Sequence, residues 1–135
     1  MTPVTGAIAG DEQAEQERLS QKFQRELNAG LVVLVLLAVP DQAGEDLYGY
    51  QIAKRLQHLA DGGSPVKQGA LYPVLRQLSA NALLVSRIVP SYSGPQRRYY
   101  RITEAGRRTL AEWRGIWRST RNFVDGFTES KGALS

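Results

Sequence analysis

The chain has no cysteine and, in 135 residues, a single histidine, His58. The first absence excludes disulfide frameworks, cysteine-based zinc sites and thiol catalysis, and it fits a reducing compartment. The second leaves no HxxxH or HExxH spacing, so a histidine-ligated metal or histidine acid–base chemistry would lack its partners. His58 reads instead as a partly exposed residue near the end of a helix. A Gly-rich phosphate loop and a Gly-x-Ser-x-Gly elbow are also missing, so no catalytic residue, cofactor or metal is expected. Long apolar runs are scarce. The longest unbroken one spans residues 31–39, nine residues, where a bilayer-spanning helix needs about twenty. The residues ahead of it are acidic and polar (Asp11, Glu12, Glu15, Glu17), unlike the basic start of a secretory signal. A soluble, cytoplasmic protein with no membrane partner is the expectation.

What the chain does have is an uneven distribution of charge. Its net charge is +4, but residues 1–66 hold five Lys and Arg against nine acids, net −4, while residues 67–121 hold eleven against Glu104 and Glu112, net +9. A basic segment of this kind is the footprint of a polyanion-binding surface, and equally that of a solvated basic face with no partner.

Periodicity divides the chain further. Residues 1–10 are small and polar and read as a flexible arm. From about Asp11, Leu19, Phe23, Leu27, Leu31, Leu34 and Ala38 recur at spacings of four or three, which predicts a helix closed by Pro40. Residues 41–46 read as a polar connection. A second helix is expected over 47–59, with Tyr48, Ile52, Leu56 and Leu59 on one stripe. Asp61-Gly62-Gly63-Ser64-Pro65 breaks the chain. A third helix over 68–80 follows, with Leu71, Val74, Leu75 and Leu78 inward and Pro73 tolerated at the cost of a bend. Two strand-like runs, 84–90 and 96–102, flank a Gly-containing linker and predict a hairpin. Thr103 is a suitable N-cap for a long last helix.

The fold expected is mainly α with a small β-hairpin, a winged helix-turn-helix: residues 11–102 form the nucleic-acid-binding domain, 103–128 a dimerisation helix and 129–135 a flexible tail. A helix of this kind is thin enough to enter the major groove of double-stranded DNA, with the hairpin beside the backbone. Gln68, Tyr72 and Arg76 share one edge of helix three, with Lys67 just before it. Gln and Arg pair with base edges, Lys neutralises phosphate, and a Tyr hydroxyl can anchor a phosphate oxygen or simply pack. In the second strand Arg97, Tyr99 and Arg101 share one face, and Arg98 and Tyr100 the other.

Three stretches, Tyr48-Gly49-Tyr50-Gln51-Ile52-Ala53-Lys54-Arg55-Leu56, Gly69-Ala70-Leu71-Tyr72-Pro73-Val74-Leu75 and Arg98-Tyr99-Tyr100-Arg101-Ile102-Thr103-Glu104-Ala105-Gly106, together resemble the signatures of the PadR family of bacterial transcriptional regulators. The resemblance covers about residues 26–127. It implies a DNA-binding regulator, with Tyr72 as phosphate contact, Lys67, Gln68 and Ala70 toward the bases and a wing from Ser91 to Arg98. Two departures stand out: the connection over 41–46 looks longer than the family's turn, and Tyr48 takes the place of a frequent His.

The last helix carries Gly106, Leu110, Trp113, Trp117, Thr120, Val124 and Phe127 at alternating spacings of four and three, widened by Ile116 and Phe123. This is a coiled-coil seam, and it implies a homodimer reading a palindromic operator. Leu19, Phe23, Leu27 and Leu31 are its natural companions. Leu110, Trp113, Trp117, Phe123 and Phe127 are therefore the candidate interface. In small, drug-responsive members of the family a tryptophan on the last helix sandwiches flat aromatic ligands, and Trp117 falls at the matching place; plain interface packing explains both tryptophans equally. The function expected is a homodimeric repressor modulated by a small aromatic or hydrophobic effector. The alternative is a winged-helix protein–protein module without DNA binding.

Overall fold

The computed structural model describes residues 6–59 and 68–129. Its elements in chain order are α1 (Gly6–Ala43), β1 (Leu47–Tyr48), α2 (Gly49–Leu59), α3 (Gln68–Ala80), β2 (Leu84–Val89), β3 (Arg97–Ile102) and α4 (Glu104–Thr128). This is the expected winged helix-turn-helix, mostly helical with a small antiparallel sheet. Residues 1–5 of the expected arm, the breaker at 61–65, Lys67 and the tail from 130 lie outside the described residues.

Helix α1 differs from expectation at both ends. It starts at Gly6, inside the segment read as an arm, and it passes through Pro40 to Ala43. A proline so near a helix end removes only one late hydrogen bond, and chain reversal falls instead to Gly44, whose φ of 68° is left-handed and whose N–H donates to the Pro40 carbonyl at 3.3 Å. The connection read as residues 41–46 shrinks to 44–46. The nine-residue apolar run also understated α1. Over Gly10–Ala43 it is long and apolar enough to cross a membrane by length and composition. Its C-terminal part is instead the central core helix, with Val32, Leu36, Leu37 and Val39 buried.

Around that stem pack Ile52 and Leu56 of α2, Leu71, Leu75 and Leu78 of α3, Leu84, Tyr100 and Ile102 of the sheet, and Leu110 of α4. Pro73 lies inside α3 as expected, on its exposed side. The hairpin forms in the register Leu84↔Ile102 to Val89↔Arg97. A third strand was not expected: Leu47 and Tyr48 leave the predicted second helix and pair with Tyr100 and Tyr99, giving the order β1-β3-β2. The Tyr48 N–H donates to Gln51 Oε1 at 3.0 Å, a side-chain cap that starts α2 at Gly49.

A turn, a cap and a pair of ion pairs join α4 to this core. The turn after α3 closes with Leu83 N–H donating to the Leu78 carbonyl at 2.9 Å, Ala82 taking a left-handed φ of 62°. Thr103 Oγ1 accepts from Gly106 N–H at 2.9 Å and donates to the Ala82 carbonyl at 2.7 Å. Asp41, in the last turn of α1, receives Arg107 at 3.6 Å and Arg114 at 3.5 Å from α4.

Candidate nucleic-acid interface

Between α2, α3 and the wing lies an open niche of about 420 Å³, walled by Tyr48, Gly49, Tyr50, Tyr72, Arg76, Gln96, Arg97, Arg98 and Tyr100. Tertiary structure thus gathers four of the expected DNA-facing residues, Tyr72, Arg76, Arg97 and Arg98, from two separate elements. Tyr72 is half-buried, and its ring lies over Gly49, where a Cβ would come within 2.6 Å of Cε1. Arg76, Arg97 and Arg98 are exposed. Arg98 hydrogen-bonds Ser86 Oγ at 3.0 Å, and the Arg97 guanidinium lies 4.6 Å from the centre of the Tyr48 ring.

Arg55, Arg87, Arg107, Arg114 and Arg121 each pair with a carboxylate; among the described residues Arg76, Arg97 and Arg98 do not. No acid occurs anywhere in residues 62–103. A niche with unpaired guanidinium groups and a tyrosine hydroxyl suits an oxyanion such as phosphate. Tyr100 adds a second hydroxyl: burial pushes its pKa up, against the pull of Arg98 and Arg76, so it stays a neutral donor at ordinary pH.

The remaining expectations distribute as follows. Gln68 is the first residue of α3, and Ala70 is exposed just after it. Ser91 is half-buried in the wing turn, outside the niche walls. Arg101, on the opposite side of β3 from Arg98, faces a polar cleft with Asp41 and Arg107. Sequence reading missed Tyr48, Tyr50, Gln96 and Tyr100 as niche walls. Three of these are tyrosines inside the quoted signature stretches, but pairing of β1 with β3 is what brings them together.

A second candidate site lies between α1 and α4. Ion pairs of Arg107 and Arg114 with Asp41 at one end, and the shared groove between residues 26–34 and 113–120 farther along, make the two helices antiparallel. They enclose an apolar groove of about 570 Å³ lined by Leu27, Gly30, Leu31, Leu34, Trp113, Ile116 and Trp117. Leu110 is a correction. At 1% exposure it belongs to the chain's own core, so the free seam starts one turn later, at Trp113, which is half-buried against that core. Beyond it Trp117, Phe123, Val124 and Phe127 are exposed, as are Leu19, Phe23 and Leu27 on α1.

Residues 35–112 match the model of the Transcriptional regulator PadR-like family. A PadR family transcriptional regulator from Eggerthella lenta is similar in structure, with a TM-score of 0.67 and 32% identity, over 91% of this chain and 98% of that one. The Mycobacterium tuberculosis transcriptional regulator Rv3488 is 48% identical over 58 residues, 42% of this chain and 51% of that protein. Bacillus subtilis PadR, solved in complex with operator DNA, shares the fold at a TM-score of 0.55 and 21% identity, over 62% of this chain and 47% of that one. With the matched segment spanning the helix-turn-helix, the wing and the start of α4, this chain belongs to the PadR-like family of transcriptional regulators, and is a regulator rather than an enzyme.

Proposed function

We propose that the protein is a homodimeric repressor that binds a palindromic site in double-stranded DNA through α3 and the wing. The observation that carries this reading is the gathering of Tyr72, Arg76, Arg97 and Arg98 around one niche with no carboxylate paired to the arginines. Phosphates of the DNA backbone are the natural complement. The small residues Gly69 and Ala70, exposed in the first turn of α3, let that end approach base edges. The operator complex of the Bacillus subtilis relative supports the same use of the fold.

The test is binding to the region upstream of the protein's own gene across a salt series. A selective complex that weakens steeply with salt is expected, and Arg97→Ala/Arg98→Ala should lower its affinity at least about tenfold, each lost phosphate contact flattening the salt slope by about one. Unchanged affinity in that variant would favour a winged-helix protein–protein module instead.

Dimerisation is supported by the apolar stripes of α1 and α4. Leu19, Phe23 and Leu27 on one helix and Ile116, Trp117, Phe123 and Phe127 on its neighbour are all exposed in the single chain, a larger apolar surface than a soluble monomer leaves uncovered. Two copies sharing these helices bury both stripes and present two α3 helices about one DNA turn apart. The groove beside Trp113 and Trp117 then opens onto the shared interface and takes a flat aromatic or hydrophobic effector. Tryptophan fluorescence titrated with aromatic cations and phenolic acids tests this, with quenching expected; no response to either class overturns it. A repressor of this kind works in the cytoplasm.

A further inference from the structure

Tyr48 stands where the wing meets the helix-turn-helix. Pairing of β1 with β3 puts Tyr48 opposite Tyr99, and their rings meet edge-on at 5.3 Å. Arg97, two residues before Tyr99, lies diagonally on the same outer face, within reach of a long side chain. Its guanidinium rests 4.6 Å from the Tyr48 ring centre. Arg87 takes the other side of the row, 5.2 Å from Tyr99, and is held by Asp46 at 3.0 Å. The two arginines therefore differ in kind. Arg87 is paired with an acid, whereas Arg97 has no carboxylate partner among the described residues and rests on an aromatic ring. A ring face attracts a guanidinium without occupying its N–H donors, which stay free for a phosphate. The Tyr48 N–H bond to Gln51 ties its main chain to α2, and its ring stacks beside that of Tyr50 at 6.3 Å.

We infer that Tyr48 is a positioning residue for DNA binding: its ring holds the Arg97 guanidinium, uncompensated and with its donors free, in register with Tyr72 and Arg76 across the niche. This rests on the DNA-binding reading above. Tyr48 acts through Arg97, so its contribution is the ordering of a flexible wing side chain before DNA arrives, and the ring matters rather than its hydroxyl.

The test uses the full chain with Tyr48→Phe, Tyr48→Leu, Arg97→Ala and the Tyr48→Leu/Arg97→Ala double variant. Fluorescence anisotropy with a mixed-sequence duplex across a salt series is a suitable probe, because a phosphate contact is read without sequence. Tyr48→Phe should bind within about twofold of the parent, and Tyr48→Leu about three- to tenfold more weakly, its salt slope flatter by up to about one. In the Arg97→Ala background Tyr48→Leu should add nothing. Circular dichroism confirms folding, and Tyr48→Ile, suited to a strand, replaces Tyr48→Leu if that variant unfolds. Equal losses from Tyr48→Leu with and without Arg97, or parental affinity and slope in Tyr48→Leu, overturn the inference while leaving DNA binding intact. If the parent protein binds no duplex even at low salt, the functional reading falls and this inference falls with it.

Discussion

A methyl group added at Gly49 would fall 2.6 Å from Tyr72 Cε1 and 3.2 Å from its hydroxyl oxygen. The obstacle is the end of a side chain, so the tyrosine can swing away at little cost to the fold. Gly49→Ala is therefore expected to leave folding stability within about 1 kcal/mol while displacing the Tyr72 hydroxyl and weakening DNA binding several-fold, measured by chemical denaturation and anisotropy side by side. Gly106 presents the opposite case. A Cβ there would lie 2.1 Å from the Leu83 carbonyl oxygen and 2.7 Å from Ile102 Cγ1, and backbone cannot step aside. Gly106→Ala should cost about 1–3 kcal/mol or more by overpacking. Ala82, at a φ of 62°, occupies a conformation that glycine adopts freely and alanine does not. Ala82→Gly should raise stability by up to about 1 kcal/mol, read as a higher denaturation midpoint with an unchanged slope.

At the scale of elements, α1 and α4 matter for what they connect. Asp41 closes the stem of α1 against α4 through Arg107 and Arg114. Asp41 is itself 28% exposed, both arginines are more so, and solvent screens the pairs. Asp41→Ala should accordingly lower global stability by no more than about 1 kcal/mol. Its larger effect should be a looser angle between α4 and the DNA-binding domain, seen as a loss of DNA affinity that exceeds the loss of stability. Element type was legible in the sequence almost throughout: Ile52 and Leu56, Leu71, Leu75 and Leu78 sit on the buried faces their spacing predicts. Boundaries were not. Pro40 looked like a stop, but its effect depends on how many hydrogen bonds remain beyond it, and Gly44 supplies the left-handed exit. Leu47 and Tyr48 looked helical because Tyr48 fits the stripe of α2 and Leu47 adjoins it, yet the free edge of β3 claims them as a strand. A local pattern cannot report a partner strand fifty residues away.

For the whole molecule, the decisive feature is the exposed apolar ridge formed by α1 and α4. Phe123 and Phe127, whose ring centres lie 5.0 Å apart, are 67% and 79% exposed, and among the described residues the core does not cover them. If the ridge is the seam of the proposed dimer, Phe123→Glu/Phe127→Glu should turn a dimeric parent into a monomer in light scattering. The monomer should remain folded, because neither ring belongs to the core. Its affinity for a palindromic site should fall by about a hundredfold or more, as the second half-site loses the benefit of effective concentration. A variant that remains dimeric would place the interface elsewhere on the chain.

By itself the sequence determined the order of helices and wing, the absence of disulfide and cysteine-metal chemistry, and the accumulation of positive charge after residue 66, because periodicity, capping residues and charge are local properties. It also predicted an apolar seam along the last helix. Only the tertiary structure decided which residues meet. It withdrew Leu110 from the seam into the core, turned Arg101 away from the niche, and brought Tyr48, Tyr72, Arg76, Arg97 and Arg98 from three elements to one place. Those decisions depend on strand pairing and on which face of each element the core consumes, and both are fixed by contacts between residues far apart in the chain.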